Sequence, residues 1–155
     1  MNKTKRRIAL VGAGMRAKHF IPAIALDHSA TCELVGICDA SMPMLDVKRA
    51  ELAEDSINTS YFHVDQFDQM VRQTSADTVV VLTPDSTHDE FICRAMELGC
   101  DVICEKPLTT SLEKCERILA AQEKHGRACR VALNYRYSPR NQHIKELLMS
   151  GAIGD

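Results

Sequence analysis

Lys106 is the residue whose neighbours best equip it to move a proton. It stands near the end of the run DVICEKP, with Glu105 before it and Pro107 after it. Side chains alternate along a strand, so Glu105 and Lys106 point to opposite faces. A lysine at the functional edge of a buried sheet must find either an anion or a ligand. Partial desolvation lowers a lysine pKa, which suits it to proton transfer near neutrality. In a hydroxyl-to-ketone oxidation such a side chain takes the hydroxyl proton, and in the reverse direction it polarises the carbonyl. The other use of a lysine here is a structural ion pair with Glu or Asp.

A second set of residues fits a dinucleotide. Gly12-Ala13-Gly14-Met15-Arg16-Ala17 follows the apolar run RIALVG directly. In a GxGxxA turn the first glycine permits the tight bend, the second lets a pyrophosphate approach the backbone, and the small third residue packs the next helix on the sheet. The helix N-terminus then offers free amides and a partial positive charge to the phosphates. Asp39, ending CELVGICD, lies about 20 residues beyond that turn, the interval expected for a carboxylate on the adenosine ribose. The carboxylate would repel a 2′-phosphate, and Ala40 and Ser41 supply no cation to offset it, so NAD is preferred over NADP. Arg16 either bridges to the pyrophosphate or, by reaching the 2′ position, reverses that preference. As a plain structural residue, Asp39 would be a turn residue before a helix.

Thr83 and Pro84 end another apolar run, DTVVVLT. If that strand lies beside the first, the pair falls at the switch point where a doubly wound sheet reverses direction and ligands settle. His88, one helical turn on, either faces the cofactor or is an ordinary surface imidazole.

These residues need a scaffold that brings strand ends together. Short apolar runs at 7–12, 32–39, 61–64, 77–83, 101–106 and 127–135 alternate with longer helical patterns. Four are rich in Val, Ile and Leu without clean alternation, as in parallel strands buried on both faces. Ser41 is placed to cap a helix over 42–54. Thr87 with Glu90, and Thr110 with Glu113, have capping-box spacing. Gly99, Gly126 and Gly151 fall where helices should stop. Pro22 should kink the first helix by deleting a backbone bond. The whole predicts an α/β, doubly wound parallel sheet in the Rossmann order 3-2-1-4-5-6, with residues 55–75 the weakest assignment.

Composition narrows the partners. Lys plus Arg is 19 and Asp plus Glu is 21, a formal net charge of −2, which argues against a nucleic-acid binder led by phosphate contacts. No apolar run reaches the roughly 18–20 residues of a membrane span. Lys3, Lys5, Arg6 and Arg7 before IALVGAG imitate a secretory signal, but Arg16 and Lys18 interrupt the apolar stretch. Seven cysteines without a CxxC read as reduced, mostly buried thiols in the cytoplasm. The six histidines are scattered without ligand spacing, so no metal is expected.

VGAGMRA, ICDA, TPDSTH, CEKP and NYRYSP, in that order, resemble the glucose–fructose oxidoreductase/inositol dehydrogenase/MocA family. The resemblance covers nearly the whole chain, and EKP after the TPxxxH segment is much more specific than the glycine turn. It implies that Lys106 lies beside the nicotinamide and the substrate hydroxyl, and that Thr83, Pro84, His88 and Glu105 contact the cofactor. Asn134 would lie near the nicotinamide end, with Arg136 as a substrate-side cation and a cis bond before Pro107. The implied activity is hydride transfer between NAD and a sugar, cyclitol or similar secondary alcohol. Members of that family are roughly twice as long, so the expectation is a dinucleotide-binding domain over 1–137 followed by a bridging helix and stub over 138–155, the substrate half being truncated. Ile144, Leu147, Leu148 and Ile153 would then be exposed and favour self-association. The alternative is a stand-alone NAD-binding or sensing module without catalysis. A methyltransferase fits the glycine turn and EKP segment less well.

Overall fold

A computed structural model of the chain describes residues 5–152 and 154. Lys3 and Ile153 lie outside the described residues. Six strands form one parallel sheet: β1 (Arg6–Val11), β2 (Cys32–Asp39), β3 (Ser60–His63), β4 (Thr78–Val81), β5 (Asp101–Glu105) and β6 (Cys129–Ala132). Their order is β3-β2-β1-β4-β5-β6, as the alternation of runs predicts. Six α-helices accompany them: α1 (Ala17–Pro22), α2 (Met42–Glu54), α3 (Phe67–Gln73), α4 (His88–Glu97), α5 (Leu112–His125) and α6 (Pro139–Met149).

The lack of polar alternation in the strands has a direct cause. Ala9, Val11, Val79, Val81, Val102 and Cys104 face one core with residues of α3, α4 and α5. Ile8, Leu10, Val80 and Leu82 face the other with Ile21, Leu45 and Leu52 of α1 and α2. Leu10, Val80 and Val81 are buried completely or nearly so, each contributing about 1.5–3 kcal/mol relative to exposure. A sheet covered on both faces leaves its strand ends as the place for polar side chains. Because the strands are parallel, those of Val11, Asp39, Val81 and Glu105 share one edge.

Local punctuation differs from expectation in three places. Ser41 accepts from the Met44 amide at 3.3 Å and caps α2 as expected. The cap of α5 is Ser111, which accepts from the Lys114 amide at 3.3 Å, one residue later than Thr110. Ser111 holds the extended backbone a cap requires, so the helix starts at Leu112. Thr87 does not cap α4, because it belongs to a 3-10 turn over Asp85–Thr87 and its hydroxyl donates back to the Pro84 carbonyl at 2.8 Å. Pro22 does not leave a simple kink: α1 passes into a π-helical stretch, Ala23–Asp27, closed by the His28 amide on the Ala23 carbonyl at 2.9 Å. The Lys106–Pro107 bond is cis, as the resemblance implies. Every residue of α6 is exposed, Ile144, Leu147 and Leu148 included.

Candidate active site

The turn after β1 is built around a glycine that no other residue can replace without distortion. Gly12 has φ +94°, and a Cβ there would lie 2.7 Å from the Leu82 carbonyl carbon and oxygen. The backbone of the β1 end thus presses on the chain leaving β4. Gly14 is the opposite case, with no atom within 4 Å of the position its Cβ would take. The space beside it belongs to a cleft of about 730 Å³, walled by Gly12, Gly14, Asp39, Val64, Thr83 and Pro84 among others.

Amides line the glycine side of the site. Gly12 donates to the Cys38 carbonyl at 2.9 Å, and Ala13 donates to Asp39 Oδ2 at 2.7 Å. The next three amides, of Gly14, Met15 and Arg16, meet no acceptor among the described residues. Unpaired consecutive amides at a turn entering a helix suit an anion. Asp39 also accepts from the Ser41 amide, through Oδ1 at 2.7 Å. Each oxygen therefore takes one amide and keeps lone-pair capacity, since a carboxylate offers about four acceptor sites. No cation lies within 4 Å of Asp39 among the described residues.

Arg16 turns away from Asp39. Its guanidinium forms an ion pair with Glu105 at the end of β5, with Nε at 2.7 Å from Oε1 and Nη2 on the same oxygen. Glu105 is buried, and its Oε2 accepts from the Lys106 amide at 2.6 Å. These bonds fix both the glycine helix and the backbone of Lys106 to one carboxylate. Lys106 itself is exposed, with no carboxylate within 4 Å of its amine among the described residues, so the structural ion pair open to it in sequence does not form. It borders a second cleft of about 440 Å³, with Arg16, Thr83, Asp85, Asn134 and Tyr135. Leu82 and Thr83 wall both clefts.

His88 is not the surface imidazole that was one of the two alternatives left by the sequence. The ring is fully buried rather than on the surface, and it does not line either cleft. Nε2 lies 2.8 Å from the Thr83 carbonyl and Nδ1 lies 3.0 Å from the Pro107 carbonyl. It ties the end of β4 to the turn that carries Lys106. Met15 is largely exposed, and Ala17 is completely buried. Arg136 lies outside both clefts, in an adjoining cavity with Tyr135. Tyr135 and Asp85 were not singled out in sequence; both directly follow residues that were, Asn134 and Pro84. Among the described residues no group of three or more His, Cys, Asp and Glu could hold a metal ion, and no helix is long and apolar enough to cross a membrane.

A doubly wound parallel sheet, with open amides at its first turn and an acid closing its second strand, defines a dinucleotide-binding domain. The residues present fit NAD: Gly14 leaves the diphosphate approach clear, and no cation beside Asp39 favours a 2′-phosphate. Residues 6–133 match the oxidoreductase family with an NAD-binding Rossmann fold, GFO_IDH_MocA, and the chain belongs to that family. It is 31% identical to inositol 2-dehydrogenase 4 of Saccharopolyspora erythraea over 99% of this chain and 44% of that protein. It is 27% identical to D-glucoside 3-dehydrogenase of Escherichia coli, over 100% of this chain and 42% of that one. Among solved structures, the WlbA dehydrogenase of Bordetella pertussis, in complex with NADH and UDP-GlcNAcA, superposes with a TM-score of 0.84 at 29% identity. That match covers 96% of this chain and 43% of the other. The chain thus spans less than half the length of these relatives.

Proposed function

We propose that this chain is the cofactor-binding part of an NAD-dependent dehydrogenase that moves a hydride between nicotinamide and a secondary alcohol carbon of a sugar or cyclitol. The observation that carries the reading is the meeting of two clefts at Thr83, one holding the open amides and Asp39, the other holding Lys106. The names of the inositol and glucoside dehydrogenases it resembles support the substrate class.

When bound, NAD supplies the hydride acceptor. The amides of Gly14, Met15 and Arg16 hold the diphosphate, and Asp39 accepts the adenosine ribose hydroxyls. Thr83 and Pro84 wall the crevice, Glu105 lines the cleft of Lys106, and His88 supports both from behind. Asn134 lies toward the nicotinamide end, and Arg136 toward the substrate. Lys106 Nζ hydrogen-bonds the reacting hydroxyl and takes its proton as the carbinol hydrogen leaves with its electron pair, giving the ketone; reduction returns both. The seven free thiols fit a reducing compartment, and we place the protein in the cytoplasm. The exposed Ile144, Leu147 and Leu148 favour self-association.

A second reading is an NAD-binding or sensing module without chemistry, favoured by the exposure of Lys106 and Tyr135 to solvent. Titration with NADH, read by nicotinamide emission, and incubation with NAD plus myo-inositol or a glucoside, read by NADH formation, separate the two. The dehydrogenase reading expects NADH binding by this chain and turnover once the substrate half is joined to it, with turnover lost and NADH affinity kept in Lys106→Met. Binding without turnover even when the substrate half is joined selects the module. Parent-level turnover in Lys106→Met removes the lysine from the chemistry, and absence of NADH binding defeats both readings.

A further inference from the structure

Beyond Lys106 the polypeptide forms a second concavity of about 440 Å³, lined by Tyr135, Arg136, Tyr137, Asn141, Gln142 and Lys145. No carboxylate lines it. Neither Arg136 nor Lys145 has a carboxylate within 4 Å among the described residues. The chain carries a net −2, yet this lining holds two cations and no carboxylate, which makes the cavity locally positive. Two of the three tyrosines stand there as well, 76% and 71% exposed. An exposed tyrosine presents a flat apolar face and a hydroxyl, the pairing of surfaces a sugar ring offers in return. Tyr135 walls both this cavity and the cleft of Lys106, so the two lie side by side.

We propose that this cavity receives the anionic end, a carboxylate or a phosphate, of the sugar or cyclitol whose hydroxyl meets Lys106. The inference rests on the reading of Lys106 given above and narrows its substrate to an acidic one. Arg136 offers a planar fork matched to carboxylate or phosphate oxygens, Lys145 adds a point charge, and the tyrosines hold the ring between that end and Lys106.

The test is an amide-resonance titration of the ¹⁵N-labelled chain saturated with NADH. The probes are D-glucuronate, D-glucose 6-phosphate, D-glucose and myo-inositol, with inorganic phosphate as the ion control at matched ionic strength. The expected result is an affinity for glucuronate or glucose 6-phosphate about tenfold or more above glucose, with shifts at Tyr135, Arg136 and Lys145. The preferred charged sugar tells carboxylate from phosphate. The preference should vanish in the Arg136→Gln/Lys145→Gln double variant. Equal affinity for neutral sugars, an effect matched by inorganic phosphate, a preference kept in the double variant, or no sugar binding overturns the proposal. Failure of NADH to bind in the first step instead strikes the underlying reading of the cofactor site.

Discussion

Substituting alanine at Gly12 and at Gly14, two residues apart, should damage two different properties. At Gly12 the φ of +94° is the left-handed region, which costs a non-glycine residue about 1–2 kcal/mol. The added Cβ would also lie 2.7 Å from backbone atoms of Leu82 and 2.9 Å from the Thr83 nitrogen. Backbone at the end of a central strand cannot swing aside, so overpacking adds about 1–3 kcal/mol. Together that is about 2–5 kcal/mol, or a melting temperature lowered by roughly 4–20 °C at about 2–4 °C per kcal/mol for this length. At Gly14 the φ is not positive and nothing lies within 4 Å, so stability should change by no more than about 0.5 kcal/mol. Yet the methyl group would project into the diphosphate approach, and NADH affinity should fall about tenfold or more, equivalent to about 1.4 kcal/mol. Thermal melting and NADH titration of both variants separate fold from function. A Gly14→Ala variant that binds NADH like the parent, or melts as low as Gly12→Ala, refutes the assignment of these glycines.

Removing the Arg16 side chain with Arg16→Met leaves buried Glu105 with one amide partner and should cost about 1–3 kcal/mol in a melt. The NADH-to-NADPH affinity ratio should stay at the parent value, and a shift toward NADPH would return Arg16 to the 2′ position. The Arg94 guanidinium hydrogen-bonded to Asp68 holds that carboxyl below its ordinary value. Its stabilisation is present above the usual carboxyl pKa of about 3.9 and is lost as pH falls through the lower, folded-state value. The stability gap between parent and Asp68→Asn should therefore be present at neutral pH and close in acid; a gap that persists there contradicts the pair. Burial pushes the Cys38 and Cys104 thiols up to about 12 and those of Cys100 and Cys129 up to about 11. Maleimide labelling of the native protein followed by peptide mass mapping should leave the buried Cys38, Cys100 and Cys104 unmodified, and rapid labelling of any of these three would show that its burial is wrong.

The sheet was legible because buried parallel strands leave unbroken Val/Ile/Leu runs and because glycines mark the helix ends. Even the weak YFHV run resolved as β3, since its pairing with Gly36–Asp39 depends on β2 rather than on its own composition. The cap of α5 was legible only to within a residue: Thr110 and Ser111 are both good cap types, and the extended backbone of Ser111 makes it the cap. Side-chain partners at the site were the least legible. Nothing in the spacing of Arg16 and Glu105, 89 residues apart, announces that they pair, because the contact depends on β1 and β5 ending at the same edge. His88 shows the same limit. Its place one turn into α4 is readable, but burial between two carbonyls from separate loops is a tertiary property. Asp39 was found as a carboxylate at the right interval, whereas its bonds to the Ala13 and Ser41 amides show that it also shapes the turn.

The central claim is that the open amides of Gly14, Met15 and Arg16, faced by Asp39, bind a dinucleotide. The most direct measurement is a ¹⁵N amide-resonance titration of the chain with NADH. Saturable shifts at Gly14, Met15, Arg16, Asp39 and Thr83 are the predicted result. Resonances there that stay fixed while NADH is added, or shifts confined to another surface, would contradict it.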